Sequence, residues 1–411
     1  MRPMPEALAA ADALAFELTD PCPPTPKDSA GRAWPQSLAG GAAGIALLHV
    51  VRARSAHGDW DTARTWISRA ASDDLTAAPN AGLYLGAPAL AFVLHTAAGA
   101  TGRYRNALEK LDDAVISITR RRLAQAHARI DRGERPTMKE FDLIRGLTGF
   151  AAHHLARHPD REITVDALAY LVRLTEPLTG RGDDHLPPWW TDVSPNGEPT
   201  PDFPGGHGNF GLAHGIGAAL SVISLALLRG IDIPGLADAV GRICAWIDRW
   251  RQGDEASPWW PGFVSTGQTT SGRVEPALRP RPSWCYGVAG TARAQQLAGL
   301  ALGDPSRVRT AENAILAALR DPAQLDLVPE IGLCHGTAGL LHAAWRMADQ
   351  TGNPAIAAEL PHVAHRLIAA LDRSDRNPEL LDGTAGAALA LHTVGTGTAS
   401  TPYWDTFLAL A

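Results

Sequence analysis

Between Leu236 and Trp250 the apolar residues Leu236, Val240, Ile243, Trp246, Ile247 and Trp250 recur at helical spacing, with Arg242, Asp248 and Arg249 on the opposite side. Arg307–Leu319 and His362–Leu371 carry the same pattern, and each predicts an amphipathic helix with one buried face. Tyr104–Glu134 reads as one long charged helix. Other runs are apolar all round: Ile216–Leu228 and the stretches after Gly287, Gly336 and Gly383 are rich in Ala, Gly and Leu. Such runs predict helices packed on every side. The two kinds alternate along the chain, and no strand-like alternation of any length interrupts them.

Each apolar run opens on one phrase: a head residue, a glycine, two small or apolar residues, then another small residue. Its seven leading glycines are Gly41, Gly86, Gly146, Gly215, Gly287, Gly336 and Gly383, at spacings of 45, 60, 69, 72, 49 and 47 residues. A period near 45–50 is that of a helical hairpin with its turns. The second copy departs from the pattern, with Pro88 and Ala89 inside the phrase. Glycine in a helix costs about 0.5–1 kcal/mol relative to Ala. The same cost repeated at every copy calls for a shared cause, and crowding of buried helices around a common axis supplies one. The pattern therefore predicts an all-α fold, an (α/α)7 toroid forming a single domain over residues 1–411. The wide spacings hold Trp-, Pro- and Gly-rich insertions near 180–210 and 252–284.

In such a ring the head residues Arg145, His214, Tyr286, His335 and Asp382 gather at one end, each ahead of a buried helix. Cys285 and Cys334 stand one residue before their heads, and His335 follows Cys334 directly. Alone, either cysteine is most simply a core residue. In equivalent slots, two thiols and an imidazole match a soft three-ligand zinc set at the central end of the ring. No fourth Cys or His stands in a matching slot nearby, and three protein ligands with an open position is the catalytic pattern. Zinc with two thiolates and a neutral imidazole carries no net charge, so it polarises a carbonyl poorly and suits a bound sulfur. Alcohol dehydrogenases use a similar set, but the glycine-rich dinucleotide fingerprint is missing from this chain. The remaining cysteines read as structural: Cys244 on the apolar face of an amphipathic helix, Cys22 in the loop PCPPTP.

Composition narrows the setting. Of 411 residues 45% are apolar and 19% charged, a globular balance, and a net charge of −6 offers no basic face for nucleic acid. No uncharged apolar run reaches the roughly 18–20 residues of a membrane span, and the first residues lack a signal-peptide layout. Four cysteines do not make a disulfide framework, which points to a reducing, cytoplasmic location.

SWCYG, LCHGTAG and GGHGNFGLAHGIG together resemble the lanthionine synthetase C-like (LanC-type) cyclases, and the likeness runs from SLAGGAAGIALL to LLDGTAGAALAL. The resemblance implies an (α/α) toroid holding one Zn²⁺ through Cys285, Cys334 and His335. It implies a reaction in which a peptide cysteine adds to dehydroalanine or dehydrobutyrine to form a (methyl)lanthionine ring. It makes His214 the acid/base, with Asp142 in FDLIRG beside it and Arg281 in RPSWCYG offsetting the enolate's charge. Each has a plainer reading: a carbonyl-bound histidine, a helix cap and a structural ion pair. Asp382 reads as an N-cap, His207 as a supporting group, and His153 and His154 as too divergent in direction to share a metal. Tyr286 and Trp284, beside the first cysteine, can touch substrate or pack in the core. The Pro-flanked pairs Trp189–Trp190 and Trp259–Trp260 suit an aromatic rim for an extended peptide, or loop anchors. Some family members insert a small extra domain in the early repeats, where the long helix over Tyr104–Glu134 predicts it absent or reduced.

The implied partners are a dehydrated precursor peptide, with a dehydratase and an exporter of the same pathway. Rival readings are a LanC-like enzyme acting on another thiol such as glutathione, and a non-catalytic zinc scaffold. A prenyltransferase subunit or a glycosidase fits less well, since the first wants a different zinc triad and the second paired carboxylates.

Overall fold

The computed structural model describes residues 1–21, 35–179, 186–194, 197–201, 203–399 and 403–411. Within them the longer helices fall into seven successive pairs. The amphipathic members are Pro5–Glu17, Trp60–Ala70, Arg105–Asp131, Glu162–Arg173, Leu236–Arg249, Pro305–Arg320 and Pro354–Leu371. Their partners are Ala42–Arg54, Ala87–Ala98, Leu147–Arg157, Ile216–Leu228, Val288–Leu302, Thr337–Thr351 and Thr384–Thr396. In Thr384–Thr396 every residue but the last is buried, whereas Leu236–Arg249 buries a stripe built on Leu236, Val240, Ile243 and Ile247. The long charged helix over Arg105–Asp131 is continuous, as its sequence predicts.

Contacts divide the chain into two compact units, residues 1–118 with 319–406 and residues 119–318 with 407–411. In the first, Ala42–Arg54 packs on Trp60–Ala70, Ala87–Ala98 and Thr384–Thr396, and Pro5–Glu17 lies against Thr384–Thr396. A fully buried Asp405 ties that unit together, bonded to both His342 and Arg346. Burial pushes its carboxyl up, but Arg346 and His342 more than offset that and hold it well below the usual carboxylate range. In the second unit Ile216–Leu228 packs on Leu147–Arg157, Leu236–Arg249 and Val288–Leu302.

All seven leading glycines are helix N-caps, but the reason differs from the one the sequence suggests. A Cβ at Gly287 would come within 2.0 Å of the Arg281 carbonyl oxygen, and one at Gly336 within 2.4 Å of the Glu330 oxygen. The same holds one turn on, where a Cβ at Gly290 would meet the Trp284 oxygen at 2.1 Å. The crowding comes from the helix's own incoming loop, which doubles back under the first turn, rather than from a neighbouring helix.

One short sheet was not visible in the sequence: His207–Asn209 pairs antiparallel with Phe263–Ser265, His207 opposite Ser265. Three-residue strands are too short to show alternation. They join the two insertions, and the Trp pairs lie in the same region. Trp189, Trp190, Trp259 and Trp260 are all buried, so the expected exposed aromatic rim is not present. Their rings anchor loops instead: Trp190 donates from Nε1 to the Gly205 carbonyl, and Trp189 meets Trp246 edge-on. Trp284 is likewise buried, donating to the Leu408 carbonyl at 2.9 Å.

Candidate metal centre

Cys285 sits in a turn ahead of Val288–Leu302, and Cys334 and His335 sit in the matching turn ahead of Thr337–Thr351. These turns are held by peptide groups. The Leu143 N–H donates to the Ala213 carbonyl at 3.3 Å, and the Ala213 N–H to the Cys285 carbonyl at 3.4 Å. In the other unit the Cys334 N–H donates to the Leu381 carbonyl at 2.9 Å, and the Leu381 N–H to the Ala39 carbonyl at 3.0 Å. Corresponding loops of successive repeats are therefore stitched backbone to backbone. Close approach needs glycine at two further places: a Cβ at Gly211 would meet the Cys285 carbonyl oxygen at 2.4 Å, and one at Gly332 the Asp382 Cα at 2.7 Å.

The Sγ atoms of Cys285 and Cys334 and a ring nitrogen of His335 lie within 4.8 Å of one another, the one such trio found among the described residues. Cys285 is buried, while Cys334 and His335 are partly exposed. The Cys285 thiol lies 3.5 Å from Ser283 Oγ. The donor set fits zinc: two sulfurs and an imidazole, with the His335 Nδ1 3.4 Å from Asp382 Oδ1. A carboxylate on one ring nitrogen orients the ring and leaves Nε2 for a metal. Asp382 is thus not the helix cap expected of it, since Gly383 holds that position.

His214 occupies the same loop position in its own repeat. Its Nδ1 lies 2.7 Å from Asp142 Oδ2, and Asp142 is 1% exposed. The other oxygen of Asp142 accepts from the backbone N–H groups of Arg145 at 2.6 Å and Gly146 at 2.7 Å. The carboxylate therefore fixes the loop leading into the helix and holds the imidazole with separate oxygens. With Nδ1–H donating to Asp142, the neutral ring keeps Nε2 as its acceptor. The His214 and Tyr286 rings stand 6.4 Å apart between centroids. Arg281 is exposed and, with Cys285 and Tyr286, lines a cavity of about 310 Å³.

The other candidates lie away from this cluster. His207 is buried, with Nδ1 2.7 Å from the Val193 carbonyl oxygen, and burial lowers its pKa. His153 and His154 are buried in one helix, and Nε2 of His154 meets Thr119 Oγ1 at 2.9 Å. Burial pushes the Cys244 thiol up to about 11, as befits an unreactive core residue, and Cys22 lies outside the described residues. Sequence reasoning missed Ser283 beside the Cys285 sulfur and Asp382 as the partner of His335. The repeated slots carried a signal for the second, because Asp382 heads the phrase that follows His335.

Comparison with known proteins bears on both the fold and the family. A solved nisin cyclase superposes with a TM-score of 0.78 at 18% identity, covering 98% of this chain and 97% of that one. That likeness shows the fold, so the all-α toroid expected from the repeats stands. The nisin biosynthesis protein NisC of Lactococcus lactis subsp. lactis is 22% identical over 262 residues, 63% of this chain. The match spans 60% of that relative's length. Among the described residues no helix is long and apolar enough to cross a membrane. Residues 32–409 match the family described as lanthionine synthetase C-like protein, and the chain belongs to that family.

Proposed function

We propose that this chain is a zinc-dependent lanthipeptide cyclase, built as one LanC-like domain, that closes thioether rings in a dehydrated precursor peptide. One observation carries the reading: two cysteine sulfurs and a histidine nitrogen, from matching turns of different repeats, converge within 4.8 Å. Zinc held by Cys285, Cys334 and His335 would keep a substrate cysteine as thiolate at neutral pH, where a free thiol is only about 3% ionised.

The chemistry adds S–H across a carbon–carbon double bond. The thiol loses its proton, sulfur bonds to Cβ, the π pair moves to Cα and its carbonyl as an enolate, and Cα takes up a proton. His214 is assigned that proton: Asp142 on Nδ1 leaves Nε2 to carry it and would stabilise the imidazolium. Arg281 is assigned to the enolate's negative charge, and Tyr286 to contact with the peptide. A dehydratase must act on the precursor first, and an exporter would follow. Reducing conditions of the cytoplasm keep both ligand and substrate thiols free.

The test is metal analysis together with ring closure of a dehydrated precursor, read as loss of free thiol. Wild type is expected to hold about one zinc and to cyclise. Cys334→Ala should lose metal and activity together, while His214→Ala should keep zinc and lose about 10²–10⁴ in turnover. Full ring closure by metal-free Cys334→Ala defeats the proposal.

A further inference from the structure

The two Trp pairs do not offer a surface for peptide, yet the loop that carries the second of them leaves an opening beside Cys285. Residues between Gly262 and Tyr286 enclose the cavity of about 310 Å³, whose wall includes Phe263, Leu278, Pro280, Cys285 and Tyr286. That is near the lower end of the roughly 300–1,000 Å³ usual for ligand sites, enough for one side chain rather than a whole peptide. Phe263 and Leu278 are 40% and 52% exposed, unlike the buried tryptophans around them.

Two uncharged polar groups of the wall are already engaged. Gln268 Oε1 accepts from the Ser265 N–H at 2.8 Å, inside a capping box. Ser283 Oγ faces both the Cys285 thiol and the Tyr286 N–H at 3.5 Å. The surface open to a visitor is mainly apolar, with the guanidinium of Arg281 lining it as well. Because Cys285 belongs both to this wall and to the metal trio, a peptide cysteine at the trio lies next to the opening. The adjoining residue of the peptide is one Cα step away, about 3.8 Å.

We propose that this cavity is a specificity pocket for an uncharged apolar side chain flanking the reacting cysteine of the peptide. The inference rests on the cyclase reading. Leu278 and Gly262 determine the fit: Leu278 supplies an exposed apolar wall from a short 3₁₀ turn, and Gly262 leaves the floor open toward Tyr286. A Cβ on Gly262 would meet Tyr286 Cβ at 3.5 Å, ordinary contact, so a larger residue there fills the pocket without displacing backbone.

Two synthetic peptides test this, each with one cysteine and one dehydroalanine, and with either Leu or Ser at both positions flanking the cysteine. Zinc-loaded wild type is expected to favour the Leu peptide about tenfold in kcat/KM, through KM. Leu278→Asp and Gly262→Val should each bring that ratio close to one, with zinc content and melting temperature unchanged, while Leu278→Ile keeps it. Equal kcat/KM for the two peptides in wild type, or a ratio that survives both substitutions, overturns the pocket and leaves the cyclase reading standing. Closure of neither ring by wild type overturns that reading, and the pocket's role with it.

Discussion

The chain contains one five-residue loop twice: Gly211-Leu212-Ala213-His214-Gly215 and Gly332-Leu333-Cys334-His335-Gly336. Both end on a glycine that caps a buried helix, and both carry their histidine in the same place. Each histidine presents Nδ1 to an aspartate, at 2.7 Å for Asp142 and 3.4 Å for Asp382. They differ at one side chain within the loop, Ala213 against Cys334. They differ also in their aspartates: Asp142 is 1% exposed and bound on both oxygens, whereas the Asp382 side chain is 41% exposed. In the proposed cyclase a single thiol, with Cys285 beside it, would make one copy a metal ligand pair, and a buried carboxylate would make the other a proton-handling dyad. The backbone is common to both, so chemistry here is decided by what is hung on it.

The strongest way to break that contrast is Asp142→Asn. Asparagine's oxygen can keep the bonds to the Arg145 and Gly146 N–H groups, but its amide would face Nδ1 and force the His214 proton onto Nε2. Turnover should fall about 10²–10⁴-fold at unchanged zinc content, measured by ring closure and metal analysis. Normal turnover would mean the histidine acts without its carboxylate. Next in size, Asp382→Asn should weaken zinc binding about 10–100-fold in a chelator competition, yet retain kcat at saturating zinc. A loss of kcat with zinc fully bound would place Asp382 in the wrong half of the comparison. The smallest effect belongs to Ala213→Cys, which makes the first loop a sequence copy of the second. Ala213 is 3% exposed, so the added sulfur should cost about 1–3 kcal/mol of stability in denaturant unfolding. Zinc stoichiometry should stay at about one, because His214 remains committed to Asp142. A second bound zinc would show the two loops to be interchangeable.

Much of this was legible before any coordinates. The leading glycines mark all seven buried helices, because a loop that passes beneath a helix terminus excludes every side chain at that point. The sequence reading took the exclusion for helix–helix crowding, since a contact between residues six apart leaves no trace in hydrophobic periodicity. Cys285, Cys334 and His335 could be grouped because equal places in a repeat become equal places in space. The Trp pairs left rim and loop anchor both open for a different reason. Proline and tryptophan show that a loop is long and anchored, but not which way the rings turn, and here they turn inward. The pocket beside Cys285 was invisible because its exposed apolar residues, Phe263 and Leu278, belong to no motif.

The peptide-group stitching between successive loops has a consequence for how such a molecule changes over time. Amide-to-carbonyl bonds such as Ala213 to Cys285 and Cys334 to Leu381 locate each turn without consulting its side chain. A mutation there can swap one reactive group for another and inherit a finished position, so new reagents can be tried at the mouth without rebuilding the ring beneath it.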